Sequence, residues 1–86
     1  MRIFLYEFIT CGGMFSVAPN EVPSGSLLRE GAAMFASLAE DLARIPDAII
    51  VALRDERLAT TESYGIDCHR VADAQEESDR FDSLAA

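Results

Sequence analysis

The run Arg2–Gly13, with the sequence RIFLYEFITCGG, restricts the fold of this chain more than any other stretch. Its Ile, Phe, Leu and Tyr residues extend over the length of a β-strand, and a strand that is covered on both faces carries a nearly continuous apolar run. The two glycines at its end supply the backbone freedom that a turn needs. We therefore expect a buried first strand that leads the chain into a glycine turn.

The next two elements predict a parallel crossover. From Ser24 or Ser26 to about Ile45, apolar residues recur every three or four positions, which is typical of one face of an amphipathic helix, and Pro46 ends it. The segment Ala48–Leu53 is β-branched and of strand length. A strand, a helix and a strand in this order form a right-handed parallel crossover.

The rest of the chain predicts two loops, a third strand and a second helix. Met14–Pro23 contains Pro19, Asn20 and Pro23 and is expected to be a loop. Arg54–Gly65 is expected to be a connection with a short helical turn at Glu56–Ala59. Ile66–Val71 alternates in polarity like a strand near a sheet edge. Asp73 lies at capping-box spacing from the helix that follows it.

These elements predict a small Rossmann-like, three-layer α/β domain over residues 1–86. We expect a mostly parallel sheet of about three strands with two helices, in the order β-α-β-β-α. The order stops after a helix that would ordinarily lead to a fourth parallel strand. We therefore interpret the chain as a single domain that belongs to a longer protein.

Charge excludes several classes of function. The net charge of −8 repels a nucleic acid backbone, so we expect no nucleic acid partner. The chain has no Lys, which excludes a P-loop lysine and a Schiff-base lysine. Cys11 and Cys68 form neither a CxxC pair nor a disulfide framework, and the first apolar run is too short for a membrane span or a signal peptide. We expect a cytoplasmic protein without a membrane partner.

Two features predict a ligand site at the glycine turn. Gly12 and Gly13 would let the backbone approach a carboxylate or phosphate, and the helix N-terminus near Ser24 and Ser26 would add free amides and a favourable dipole. A tight turn required by the sheet edge explains the glycine pair equally well, so both interpretations stay open. Glu7, inside the apolar run, has either a functional role, with a substrate amine or between domains, or a structural partner such as Arg54 or a backbone amide.

Arg54 and Asp55 follow the second strand, at the carboxyl end of the sheet, where ligands of parallel sheets bind. The Arg54 guanidinium is suited to binding a carboxylate through two hydrogen bonds, and a local salt bridge is the alternative. The only histidine, His69, has no second ligand at metal-binding spacing. We expect no metal site and no catalytic residue within this chain.

Three short blocks resemble a known family: EFITCGG after the first strand, SLLREG at the start of the helix, and LRDERL at the end of the second strand. Together they resemble the pre-ATP-grasp domain of ATP-grasp carboxylate–amine ligases, in particular the subgroup similar to tyramine–glutamate ligase. Cys11 stands where the family more usually has the first of three glycines. The resemblance implies a substrate-side N-terminal domain of an enzyme that activates a carboxylate with ATP.

In that family, later domains hold ATP and magnesium ions, so the resemblance implies both cofactors for the full-length ligase and neither for this part. It implies C-terminal ATP-grasp domains of the same chain as partners, with Arg29, Glu30 and Asp55 as candidate docking residues. For Arg29 and Glu30, ordinary surface charge is the alternative interpretation. An alternative is a free-standing acidic interaction module that forms a homodimer through an exposed sheet edge. A third interpretation is a small enzyme that is complete in itself, although the sequence shows no nucleophile and base at a suitable spacing.

Overall fold

The computed structural model describes residues 1–58 and 65–86 and contains one three-stranded sheet. The elements are β1 (Arg2–Leu5), α1 (Met14–Val17), α2 (Gly25–Ala43), β2 (Ile49–Asp55), β3 (Asp67–Val71) and α3 (Ala74–Ala85). The strand order is β1-β2-β3, and both pairs are parallel. The α/β class, the parallel sheet and the crossover through a long helix are confirmed.

The central strand β2 explains why its sequence is apolar throughout. Val51, Ala52 and Leu53 are at most 1% exposed, because neighbouring strands and both layers of helix cover them. Successive side chains of a strand point to opposite faces. Both faces of β2 are therefore core, and the β-branched run satisfies both at once.

The helices form a layer on each face of the sheet. Residues of α2 pack with one core cluster, which comprises Leu5, Ala39, Ile50, Ala52 and Ile66, with Phe35 and Leu42 beside it. A second cluster comprises Cys11, Phe15, Leu53 and Val71, with the α3 residues Phe81 and Leu84 among the side chains beside it. The predicted three-layer arrangement follows from these two clusters.

Three element boundaries differ from the sequence expectations. The strand β2 includes Arg54 and Asp55, which were expected to begin the connection after it, because they pair with Arg70 and Val71 of β3. The strand β1 ends at Leu5, well before the end of the apolar run, because the Glu7 side chain binds backbone amides and turns the chain. The expected loop Met14–Pro23 contains the one-turn helix α1, which buries Phe15 at 5% exposure. Part of the apolar run is therefore turn rather than strand, and part of the loop is helix.

The helices α2 and α3 begin at the predicted N-cap positions. Ser24 is the N-cap of α2, and the Asp73 side chain accepts a hydrogen bond from the Glu76 amide at the start of α3. Leu58 N donates to Asp55 O at 3.1 Å, which forms part of the short turn expected at Glu56–Ala59. The rest of the expected Arg54–Gly65 connection, from residue 59 to residue 64, lies outside the described residues. Within the described part of the chain, no helix is long and apolar enough to cross a membrane.

Candidate functional site

The turn after β1 lies at the carboxyl end of the sheet. Asp55 N donates to Thr10 O at 2.9 Å, and the next amide, Glu56 N, donates to Val71 O at 3.0 Å. These bonds join the glycine turn, the end of β2 and the end of β3. Glu7, the glycine pair, Arg54 and Asp55 therefore lie at one edge of the sheet, as the order of the elements predicts.

The Glu7 carboxylate holds the turn together. It accepts hydrogen bonds from Thr10 N at 2.7 Å, Thr10 Oγ1 at 2.8 Å and Ile9 N at 2.9 Å. It also lies against α2, because a Cβ at Gly31 would be 2.8 Å from Glu7 Oε1. A backbone amide is thus a structural partner of Glu7, which was one of the two interpretations, and binding of a substrate amine stays a prediction.

Both turn glycines have a packing role. Gly12 has φ of 100°, and a Cβ there would lie 2.7 Å from Val71 Cγ2. A Cβ at Gly13 would overlap the ring of Phe8, and Gly13 N donates to Phe8 O at 2.9 Å. The tight-turn interpretation therefore has a physical basis at both positions. Close approach of a ligand to this backbone stays a prediction, and the Gly13 amide already has an acceptor.

Asp55 forms a local ion pair with Arg57. Its carboxylate is fully buried and accepts from Arg57 Nη2 at 2.8 Å, Arg57 Nε at 3.0 Å and Arg57 N at 2.9 Å. The guanidinium lies 4.1 Å from the centre of the Phe15 ring, and Nη1 donates to Pro19 O. Hydrogen bonding to Asp55 raises the pKa of Arg57. A local salt bridge was the alternative interpretation for Arg54 and Asp55, and Asp55 forms one with Arg57. Docking through Asp55 stays a prediction.

Arg57 was not singled out in the sequence. Its signal is the spacing Asp-x-Arg directly after a buried strand, which lets the guanidinium fold back onto a carboxylate at the strand end. It ties three segments together: the end of β2, the helix α1 through Phe15, and the loop at Pro19. Arg57 therefore orders the segment that was expected to be only a loop.

The remaining candidate residues lie at the end of β2 and at the start of α2. Arg54 is partly buried. Burial raises the pKa of the Cys11 and Cys68 thiols, and the positive charge of Arg54 offsets part of this increase. Ser24, Ser26, Arg29 and Glu30 are exposed in the first turns of α2 or just before it. Ser24 makes no hydrogen bond to the helix with its side chain. These residues are accessible to a ligand or to a second domain.

A cleft of about 240 Å³ is a feature that the sequence did not indicate. It is lined by Tyr6, Glu77, Ser78, Phe81 and Asp82. Tyr6 OH donates to Glu77 Oε2 at 3.3 Å, and the Tyr6 ring meets the Phe81 ring edge-on at 4.9 Å between centres. Burial, followed by the charge of Glu77, raises the pKa of Tyr6. The sequence indication of this cleft was the spacing of four residues between Glu77 and Phe81, which places both side chains on one face of α3.

The described side chains offer no metal site. Within residues 1–58 and 65–86, no group of three or more His, Cys, Asp or Glu side chains is arranged to hold a metal ion. Cys11 is buried, its sulfur accepts from Glu7 N at 3.3 Å, and burial raises the pKa of its thiol. His69 Nε2 lies 3.3 Å from Asp67 Oδ2.

Comparison with known proteins found no match for this chain among models of protein families, curated proteins or solved structures.

Proposed function

We propose that residues 1–86 are the substrate-side N-terminal domain of an ATP-dependent carboxylate–amine ligase of the ATP-grasp type, without ligase activity by themselves. The observation that carries the proposal is the hydrogen bond from Asp55 N to Thr10 O, which holds the glycine turn over the end of the central strand. Ligands of open parallel sheets bind outside the carboxyl ends of the strands. The three sequence blocks that resemble this family meet at or near that edge.

In this proposal the domain binds the carboxylate substrate and other domains supply the nucleotide chemistry. A carboxylate oxygen attacks the γ-phosphorus of ATP, ADP leaves, and the amine then displaces phosphate from the acyl phosphate. Arg54 offers a guanidinium to the carboxylate, and Ser24, Ser26 and the first amides of α2 offer hydrogen-bond donors. The Glu7 carboxylate accepts hydrogen bonds from Ile9 and Thr10 of the turn, and in this proposal it is also the candidate for binding the amine.

The absence of Lys from the sequence is consistent with this division. A domain that clamped ATP phosphates by itself would need cationic side chains for them, and here Arg57 is committed to Asp55. The proposal assigns ATP and magnesium ions to C-terminal ATP-grasp domains of the same chain, as the family resemblance implies. Arg29 and Glu30, exposed on α2, are the accessible members of the docking set.

The first test is the native reading frame. Sequencing through the codon for Ala86 should reveal a continuation of a few hundred residues that contains Lys and clustered carboxylates. A stop codon directly after Ala86 would exclude the ligase. If the frame continues, the full-length product should form ADP only when a carboxylate and an amine are both present, and Arg54→Ala should raise the KM for the carboxylate more than Arg29→Ala does.

A second candidate function is self-association through the sheet edges. Among the described strands, β1 and β3 each pair only with β2, so each presents one edge. An unpaired strand edge is a template for another strand. An acidic module that pairs in this way would sediment as a dimer at high protein concentration, whereas a monomer over the whole concentration range would exclude it.

A further inference from the structure

The helix α2 carries an exposed apolar stripe in addition to the face that packs on the sheet. Leu27, Met34 and Leu38 are 61%, 59% and 42% exposed. At about 100° per residue, their spacing places all three within about 20° of one line along the helix. Ile45, 36% exposed, lies in the turn directly after the helix and continues the stripe.

The stripe is separate from the core-facing side of the helix. Phe35, Ala39 and Leu42, which pack with the core, lie about 90° round the helix from Leu27. A surface helix ordinarily buries one apolar face and presents polar residues elsewhere. A line of exposed apolar side chains about 16 Å long, from Leu27 to Leu38, is the kind of surface that marks an interaction site.

The charges beside the stripe are acidic. Glu30 and Asp41 are both exposed and lie within about 60° of the stripe, on the side away from the core. The two arginines of this region lie further round the helix, with Arg44 about 100° from the stripe and Arg29 about 160° from it. A partner therefore meets an apolar line with carboxylates along one flank.

A second copy of this chain fits the stripe in shape but not in charge. With Ile45 included, the spacings along the stripe are seven, four and seven residues in either direction, so an antiparallel pair would place Met34 opposite Leu38 of the second copy. The same pairing places Glu30 beside Asp41 of the second copy, at both ends of the contact. It also joins two chains that each carry a net charge of −8. Like charges at these positions oppose association.

We propose that this stripe is the docking site of an amphipathic helix from another protein, with apolar residues at a spacing of three and four and with Lys or Arg beside them. The apolar residues of the partner cover Leu27, Met34 and Leu38, and its cations face Glu30 and Asp41. Laying the apolar face of a helix against such a surface is a recurring mode of peptide recognition. The proposal goes beyond the ligase function, because it involves neither ATP nor the glycine turn, and Glu30 is the one residue that it shares with the docking set.

The probe is a synthetic helical peptide with Leu at a spacing of three and four and Lys at the flanking positions, titrated calorimetrically into the folded chain. A matched peptide carries Glu in place of every Lys. The Lys peptide should bind at least tenfold more tightly than the Glu peptide, and its affinity should fall as salt is added. Equal affinities of the two peptides would overturn the proposal.

Surface variants separate the stripe from general stickiness. The double variant Met34→Ser/Leu38→Ser should weaken binding of the Lys peptide at least tenfold. The matched control is Val17→Ser/Val22→Ser, which removes two apolar side chains, 68% and 52% exposed, outside α2. All four positions are exposed, so circular dichroism should show an unchanged fold. An equal loss in both double variants would overturn the proposal.

A pair of charge variants tests the acidic flank. Glu30→Gln should weaken binding several-fold, whereas Glu40→Gln, about 140° from the stripe, removes the same charge from another side of α2 and should have a smaller effect. Equal effects would mean that the peptide responds only to net charge. A dimer in sedimentation that Met34→Ser/Leu38→Ser abolishes would make a second copy the occupant. Either of these two results would overturn the proposal.

Discussion

The carboxylate of Asp55 and the guanidinium of Arg57, two residues apart in the chain, form a two-point ion pair with no exposure at Asp55. The same guanidinium lies over Phe15 of α1 and donates to Pro19 O. One arginine thus neutralises a buried charge at the end of the central strand and attaches the segment after the glycine turn. The spacing of two residues between Asp55 and Arg57 thus also positions the guanidinium for its contacts with Phe15 and Pro19, which are distant in the sequence.

Arg57→Ala should destabilise the fold by about 2 to 3 kcal/mol, because Asp55 would be left as a buried carboxylate without its cation. This value is at the lower end for a buried pair, since 20% of the Arg57 side chain is exposed. Urea unfolding measures the loss, with Arg29→Ala as the control for removing an exposed arginine. Adding Asp55→Asn to Arg57→Ala should cost less than the sum of the two single changes, and simple additivity would contradict the pairing.

Gly12→Ala should cost about 2 to 4 kcal/mol, from backbone strain together with overlap onto Val71. Gly25→Ala is the matched control, because Gly25 also has a positive φ, 67°, but a Cβ there meets no atom within 4 Å. That control should cost only about 1 kcal/mol. Thermal or urea unfolding of the two variants gives the difference, and equal losses would show that Val71 does not restrict this position.

Gly31→Ala should have an effect that depends on Glu7. Alanine favours a helix over glycine by about 1 kcal/mol, but its Cβ would push against the Glu7 carboxylate that three hydrogen bonds hold in place. In the native chain the change should therefore be neutral or destabilising. In a Glu7→Ala background it should be stabilising. The same effect in both backgrounds, measured by urea unfolding, would mean that Glu7 and Gly31 are not coupled.

Stability should decline in alkaline solution. Burial, with the charge of Glu77, raises the pKa of Tyr6, so the folded chain keeps a proton that the unfolded chain loses. The contribution of Tyr6 is complete below about pH 10, the ordinary pKa of tyrosine, and is lost as the pH rises above it. Burial also raises the pKa of Cys11, and its contribution declines from about pH 8.5.

Urea unfolding between pH 7 and pH 11 measures this decline. Tyr6→Phe should flatten the part above about pH 10 and leave the earlier part, to which Cys11 and Cys68 both contribute. Cys11→Ala should reduce the earlier part and leave the part that belongs to Tyr6. An unchanged slope in Tyr6→Phe would show that the Tyr6 hydroxyl is not shielded in the folded chain.

Much of the fold was predictable because its signals are local. The apolar run of β2, the spacing of α2 and the cap at Asp73 each depend on neighbours in the sequence, and all three elements are present. The early end of β1 and the presence of α1 were not predicted. Glu7 turns the chain through its own side chain, and α1 depends on burial of Phe15 beneath Arg57. Periodicity carries no record of such contacts.

The candidate site divides in the same way. That Glu7, Arg54 and Asp55 lie at one edge follows from their positions near strand ends in a parallel sheet, so the sequence alone was sufficient for it. Which groups are already engaged depends on distances between segments that are far apart in the chain. The hydrogen bonds of Glu7 with the turn, the contact of Gly12 with Val71, and the cleft between Tyr6 and Glu77 are all of this kind.

The sequence by itself determined the class of fold, its acidic charge and the end of the sheet at which the candidate residues Glu7, Arg54 and Asp55 lie, because strand order and periodicity are properties of neighbouring residues. Only the tertiary structure decided that Asp55 belongs to Arg57, that Gly12 and Gly13 pack against Val71 and Phe8, and that α2 has a second apolar stripe left exposed. Burial is a property of the assembled layers. The sequence shows which side chains are apolar, and packing decides which of them the sheet covers.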